Sequence, residues 1–369
     1  MARPTEPALI DLLALSLVPG LGPKLTAALL QHFGSASAVR NASAADLQCV
    51  PMIGDKLSRS FAAAMASADL VRECELLDRH ATEVVALGHT GYPSRLAEVA
   101  GAPPLLYVRG SVSAADARAV AIVGSRGCTA YGRRITDQIA GGLARAGVTV
   151  VSGMARGIDG VAHSAALKAG GRTIGVLAGG LSRIYPPEHA DLAAAVQANG
   201  ALVSEVPMAM EPRPEMFPPR NRIISGMTLA VVIVEASERS GTLITARHAG
   251  EQGRDVLAVP GPVDNPASAG CLQLIREGAT LIRNVDDVLE AIDGMAVTSA
   301  PVLSPAASPP PELDGTAKRV WDFLADGAKH ADTLAQELQL SVPEISRTMM
   351  HLEMRKLVRR LPGNCYERR

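Results

Sequence analysis

Aromatic side chains are scarce in this 369-residue chain, at 3%: one tryptophan, five tyrosines and four phenylalanines. An aromatic outside an obvious core stretch is therefore informative. Cysteine is sparse as well, and Cys49, Cys74, Cys128, Cys271 and Cys365 include no Cys-x-x-Cys pair. That argues against a disulfide framework and a cysteine metal site, and for a reducing compartment. No apolar run approaches the ~20 residues of a membrane span. The opening segment lacks the apolar core of a signal peptide, so a cytoplasmic protein with no membrane association is expected. Net charge is −1, so there is no overall basic signature. Four enzyme signatures are also missing: a Gly-x-Gly-x-x-Gly turn after the first strand, a Walker lysine, a Ser/His/Asp arrangement and a metal-ligand cluster. The expectation is a binding protein with no catalytic residue, no metal and no cofactor.

What is present is an alternation of apolar strands and Ala-rich helices from about residue 111 to 295. It predicts a mostly parallel sheet covered on both faces. Strands are expected at 119–124, 148–152, 173–178, 201–204, 229–235, 255–259 and 279–282. Helices are expected at 131–146, 160–169, 188–198, 242–252 and 269–277. A lead-in segment from Gly88 ends in a short strand, Leu105 to Val108.

Residues 1 to about 85 read as helical and contain an internal repeat. Val18-Pro-Gly-Leu-Gly-Pro-Lys-Leu25 recurs 32 residues later as Val50-Pro-Met-Ile-Gly-Asp-Lys-Leu57. This is the helix-hairpin-helix pattern, whose glycines admit a phosphate to backbone N–H groups. Gly20, Gly22 and Lys24 are candidates for a secondary DNA contact. Met52 stands where the second copy wants glycine, which weakens that copy. Residues 296–311 carry five prolines and no charge, as a linker does. Residues 312–369 read as three helices and a hairpin, the pattern of a winged helix-turn-helix. There Ser341 and Glu344 form a capping box. The division expected is 1–87, 88–295, 296–311 and 312–369.

Charge is unevenly distributed. Arg118 to Arg222 holds 12 Lys and Arg against 7 Asp and Glu, and 11 of those cations are arginine, the better phosphate fork. Five polar turns should meet along one sheet edge, four of them directly after apolar strands. They are Gly124-Ser125-Arg126, Ser152-Gly153 through Arg156 to Asp159, Gly179 to Arg183, Phe217 to Arg222, and Ser240-Gly241-Thr242. Ligands of such sheets sit at the strands' carboxyl ends, where helix N-termini point N–H groups at anions. Arginines, hydroxyls and few carboxylates make this an anion site suited to a phosphodiester chain. Asp159 reads as an N-cap and His163 as a structural histidine. Asn221 and Arg222 either brace the 217–222 loop or serve the site. Phe217, in a Pro-rich loop beside Arg220, is placed to stack on a nucleobase. Tyr185 is a weaker stacking candidate.

These motifs resemble the bacterial DNA-processing protein A (DprA/Smf) family. The resemblance rests on Val123-Gly-Ser-Arg126, Ser152-Gly-Met-Ala-Arg-Gly-Ile-Asp-Gly-Val-Ala-His163 and Gly170 to Leu181. It also rests on Phe217-Pro-Pro-Arg-Asn-Arg-Ile-Ile224, Glu235-Ala with Arg239-Ser-Gly-Thr-Leu-Ile-Thr245, and Gly253 to Gly261. It implies an extended Rossmann-like domain flanked by a helical helix-hairpin-helix (SAM-like) domain and a winged helix. It further implies a homodimer that binds single-stranded DNA, displaces single-strand-binding protein and loads the RecA recombinase during natural transformation. Ser125 and Arg126 then match the pocket motif, and Arg172 a basic pocket position. Phe217, Arg220 and Asn221 match the loop bordering the pocket. The competing reading is a nucleoside-monophosphate phosphoribohydrolase of similar fold, but its Pro-Gly-Gly-x-Gly-Thr-x-x-Glu motif has no good match. A third reading, a transcription regulator built on 312–369, predicts duplex binding that this segment carries.

Overall fold

The helical N-terminal segment is built from α1 (Pro7–Ser16), α2 (Pro23–Phe33), α3 (Ala36–Asn41), α4 (Ala44–Leu47), α5 (Asp55–Ala66) and α6 (Leu70–Arg79). This is a computed structural model, and it describes residues 6–295, 313, 315–324, 329–355, 357–361 and 365–368. The linker read at 296–311 lies outside the described residues. Both hairpins of the repeat adopt one geometry: Gly20 and Met52 hold φ of 81° and 74°, and Gly22 and Gly54 precede α2 and α5 at the N-cap. Met52 therefore takes the left-handed backbone that glycine takes in the first copy. A side chain with Cβ is disfavoured there.

After the helices come β1 (Thr82–Ala86), α7 (Ser94–Ala97) and β2 (Leu105–Gly110). The alternating core follows as β3 (Ala119–Gly124), α8 (Ala130–Arg145), β4 (Thr149–Ser152), α9 (Ile158–Lys168), β5 (Thr173–Val176) and α10 (Ala190–Asn199). It continues as β6 (Gly200–Ser204), α11 (Phe217–Gly226), β7 (Ala230–Val234), α12 (Thr242–Glu251), β8 (Asp255–Ala258), α13 (Ala269–Arg276), β9 (Thr280–Leu281) and α14 (Val285–Met295). The nine strands form one sheet in the order β1-β2-β6-β5-β4-β3-β7-β8-β9. From β6 to β9 neighbours are parallel, whereas β1 and β2 pair antiparallel with each other and β2 with β6. Chain order reverses at β3, between β4 and β7. That is the switch point where doubly wound sheets bind ligands.

Two expectations are corrected here. Thr82–Ala86 is a strand and not the end of the helical segment, because Val84 and Ala86 alternate inward on the edge of β2. Phe217 to Arg222 is helix and not loop: Pro218 and Pro219 fall in the first turn of α11, where a missing N–H costs nothing.

Two apolar layers cover the faces of the parallel sheet, one around Ile174, Ile223 and Ile233, the other around Ile122, Leu143 and Val232. A third core joins the N-terminal helices to the sheet, with Leu13, Leu29, Phe61 and Leu77 packed among Tyr107, Leu177 and Met208. Two polar contacts cross the same boundary. Ser16 Oγ and Tyr107 Oη lie 2.9 Å apart, and Met208 N–H donates to Glu73 Oε1 at 2.8 Å.

A second compact unit begins after residue 298. In it α15 (Gly315–Phe323), α16 (Ala331–Leu338) and α17 (Val342–Met354) surround Val320, Leu334 and Met349. The strands β10 (Lys329–His330), β11 (Val358–Leu361) and β12 (Cys365–Arg368) form its sheet in the order β10-β12-β11. The capping box is present, Ser341 N–H donating to Glu344 Oε2 at 2.9 Å. The unit has the winged-helix arrangement expected for it.

His163 is the structural histidine expected. It is fully buried, with Nδ1 2.7 Å from Thr173 Oγ1. Thr173 gives its own proton to Val150 O, so His163 Nδ1 is the donor and Nε2 carries no proton. Burial, reinforced by the nearby His189 and Arg220, holds the imidazole down at about 3. The folded chain therefore cannot take up the proton that the unfolded chain binds below about 6.5. This contribution to stability is complete above that pH and shrinks by about 1.4 kcal/mol per unit as pH falls from 6.5 toward 3. Denaturant titrations across this window are expected to show a shallower pH dependence for His163→Gln than for the parent chain. In the same assay at neutral pH, Met52→Gly is expected to raise stability by about 1 kcal/mol through relief of the left-handed backbone.

Candidate functional site

The carboxyl edge of the parallel strands carries two adjoining cavities that share Arg126, Ala155, Phe217 and Arg220. The larger, about 1020 Å³, is walled by the turn after β3 and by the segment from Ser237 to Thr245. The smaller is walled by Arg156, Arg183, Tyr185 and Pro212. Phe217 and Arg126 form the ridge between them.

The backbone at this edge is close-packed. Gly124 ends β3 so near the carbonyl of Val234 that a Cβ would overlap it. Gly157 has φ of 76°, and a Cβ there would strike the carbonyl of Ser125. Only glycine lets the turn after β4 close beneath the turn after β3.

Arg220 is the hub beneath the ridge. It is 5% exposed, and its Nη1 donates to the carbonyl of Gly153 at 2.8 Å and to that of Val176. Its Nε donates to Asn221 Oδ1 at 3.2 Å. Burial lowers its pKa to about 10, opposed by Asp159 and furthered by Arg126, so it stays cationic at neutral pH. Asp159, itself raised by burial, accepts from Ala155 N–H at 3.2 Å. It lies in the first turn of α9, whose N-cap is Gly157, so the N-cap reading of Asp159 is corrected. Above Arg220, the ring of Phe217 lies 5.7 Å from its guanidinium carbon and 5.1 Å from that of Arg126. Tyr185 meets the same ring edge-on at 6.3 Å. Arg126 is exposed and makes no ion pair with any described residue.

Several helix-start N–H groups at this edge are bonded within the chain. Glu235, buried at the end of β7 with φ of 55°, accepts from Thr129 N–H at 2.8 Å and from the Thr129 hydroxyl. Its carboxylate sits at the start of α8, so close to Gly132 that a Cβ there would collide with it. At α12, Thr242 N–H donates to Ser240 Oγ at 3.2 Å. At α9, Ile158 N–H donates to the carbonyl of Ser125 at 3.2 Å. Part of the helix-start N–H groups at this edge is thus already engaged, whereas Arg126 stands exposed with no ion pair among the described residues. Glu235 belongs to one of the motifs that carry the resemblance, but its role at the start of α8 was not read from the sequence.

The expected site residues divide in two. Gly124, Ser125, Arg126, Phe217, Asn221, Ser240 and Gly241 line the larger cavity, and Gly153 and Arg156 the smaller. Three others are placed elsewhere. Ser152 is fully buried and donates to the carbonyl of Ile122 at 2.6 Å. Arg222 is nearly buried and pairs with Glu205. Arg172 immediately precedes β5, at the amino edge, and donates through Nε and Nη2 to Asp116 at 3.0 and 2.9 Å. A residue before a parallel strand cannot reach a pocket at its far end. Of the first hairpin, Gly20 and Gly22 line a further cleft of about 1220 Å³ that also reaches Leu177, Ala178 and Arg220. Lys24 is exposed on α2 and is not among the residues lining it.

Among the described residues no three metal-ligating side chains gather, and no helix is long and apolar enough to cross a membrane. The family model for DNA recombination-mediator protein A matches residues 83–293, and that for the DprA winged helix domain matches 304–364. Protein Smf of Escherichia coli is 41% identical over 276 residues, covering 74% of each chain. Protein Smf of Synechocystis is 32% identical over a 392-residue alignment covering 97% of this chain and 98% of its own. The X-ray structure of DNA processing protein A from Streptococcus pneumoniae superposes with a TM-score of 0.67 at 31% identity, over 79% of this chain and 98% of that one. That of DNA processing protein A from Helicobacter pylori, described for its single-stranded DNA binding mode, gives 0.51 at 28% identity, over 58% and 96%. This chain belongs to the DNA recombination-mediator protein A family, also called DprA or Smf.

Proposed function

We propose that this chain binds single-stranded DNA along the carboxyl edge of its sheet and presents it for recombination without making or breaking bonds. The observation that carries the reading is Arg126: an exposed guanidinium, with no carboxylate partner among the described residues, resting on a phenyl ring between two open cavities. A phosphate offers Arg126 the fork geometry it lacks here. Movement of Arg126 onto a phosphate uncovers one face of Phe217 for a base, and the buried Arg220 supports the ring from below. Duplex DNA keeps its bases stacked inside, so a site built on base stacking favours single strands. The Helicobacter pylori relative, with its single-stranded DNA binding mode, supports the same reading.

The wider role rests on family membership. A recombination mediator of this kind acts in the cytoplasm as a homodimer, displaces single-strand-binding protein and loads RecA. Two copies of the site would add affinity through avidity. Catalysis is not required by any group at the edge: Asp159 is held by Ala155 and opposed by Arg220, and Glu235 is held by Thr129. Release of free base from AMP or CMP by the pure protein would overturn the non-enzymatic reading.

In anisotropy titrations with labelled oligo-dT, Arg126→Ala is expected to weaken binding by roughly 10- to 100-fold, the value of a charge-assisted contact of about 1.5–3 kcal/mol. Phe217→Ala is expected to cost about 1–3 kcal/mol. Affinity should fall linearly with log salt, at a slope of about −0.7 per phosphate contacted. Equal binding of duplex, or no effect of Arg126→Ala, would contradict the assignment. Arg220→Ala behaves differently: it strips the Gly153 and Val176 carbonyls and leaves Asp159 buried without its countercharge. It is expected to cost about 3–5 kcal/mol of stability in denaturant titrations, and lysine, a single-headed donor, is not expected to restore it.

A further inference from the structure

Two arginines that line the smaller cavity are paired with carboxylates that do not themselves line it. Arg156, from the turn after β4, donates through Nε to Glu188. Arg183, from the turn after β5, donates through Nη1 to Glu211 at 2.6 Å. In each pair the carboxylate comes from a different segment than its arginine. Both arginines line the cavity together with Arg126 and Phe217. Both pairs are open to solvent, with side-chain exposures of 53% and 50% in one and 70% and 70% in the other. The core pair Arg222–Glu205, at 14% and 10%, is of another kind. An exposed pair is held weakly and exchanges partners readily, and a phosphate is a ready replacement for a carboxylate on arginine.

We propose that Glu188 and Glu211 are internal competitors for the DNA phosphates, which they imitate at Arg156 and Arg183 and yield to an incoming strand. This rests on the reading of the cavity as a single-stranded DNA site. Each phosphate that reaches Arg156 or Arg183 must displace a carboxylate that stays tethered nearby, ready to return. The strand is therefore held less tightly than the number of arginines suggests, and it leaves faster. Arg126, with no such competitor, anchors the strand. A mediator that must pass its DNA onward is suited by a site whose grip is kept below its maximum.

The test is stopped-flow and equilibrium anisotropy with labelled dT20 on the full-length protein. The variants are Glu188→Gln, Glu211→Gln, Arg156→Ala and the double variant Glu188→Gln/Arg156→Ala. Asp293→Asn serves as control, because it opens a comparably exposed pair, with Arg118, at the amino edge of the sheet. Each glutamine variant is expected to tighten binding by roughly three- to tenfold at low salt, mainly through slower dissociation. The gain from Glu188→Gln should vanish when Arg156 is absent, as a direct coupling requires. The proposal is overturned if the glutamine variants bind no more tightly, if Asp293→Asn tightens binding as much, or if the gain persists without Arg156. If Arg126→Ala binds dT20 like the parent chain, the reading of the cavity itself fails. If Arg126→Ala loses binding while the glutamine variants change nothing, the competitor role alone fails.

Discussion

The guanidinium of Arg220 is fixed by groups from three elements at once. It donates to the carbonyl of the turn after β4 and to the last residue of β5, and it interacts electrostatically with Asp159 of α9. A cation buried this deeply is tolerated because its hydrogen bonds and a nearby carboxylate compensate its lost hydration. Its place in the first turns of α11 is what makes it a hub. The same turn lifts Phe217 above the guanidinium, and Phe217 in turn seats Arg126. A buried, hydrogen-bonded cation thus supports an aromatic ring and an exposed cation. Preorganisation of this kind reduces the ordering that a ligand must impose on the protein.

In the proposed reading, the sheet's carboxyl edge binds an anion mainly through side chains, because part of its helix-start N–H groups is already engaged. Four helix starts meet there, and N–H groups at three of them are bonded within the chain, through Glu235, Ser240 and the carbonyl of Ser125. Donors consumed in this way hold the turns in place. Attraction for a polyanion then comes from arginine side chains at the surface, which is the part of the interaction most sensitive to salt. The net charge of −1 conceals this local arrangement, because the excess of acid lies C-terminal to Arg222.

Most of the parallel sheet was legible in the sequence, since a strand buried on both faces is a continuous apolar run, and the runs of β3, β4, β5 and β6 ended at glycine or serine. The misread segments share a cause: a local rule overridden by context. Phe217-Pro-Pro looks like loop, yet two prolines at a helix start break no hydrogen bond. Thr82–Ala86 alternates weakly and follows directly on α6, and only its pairing with β2 makes it a strand. At the site, strand-end residues such as Arg126 were placed correctly because position along a parallel strand fixes the edge. Arg172 was not, because a motif resemblance carries no such direction, and its partner Asp116 is 56 residues away in sequence. Met52 shows the converse: it stands where the repeat wants glycine, and the structure gives it glycine's backbone all the same.

The central claim is that bases stack at the ridge formed by Phe217 and Arg126. Photocross-linking tests it most directly: an oligo-dT carrying 5-iododeoxyuridine is irradiated with the full-length protein, and the adducts are mapped by mass spectrometry. Adducts concentrated at Phe217 and at its edge-on neighbour Tyr185 are the predicted result. Adducts confined to residues 312–369 or to the N-terminal helices, with none at the sheet edge, would contradict the account.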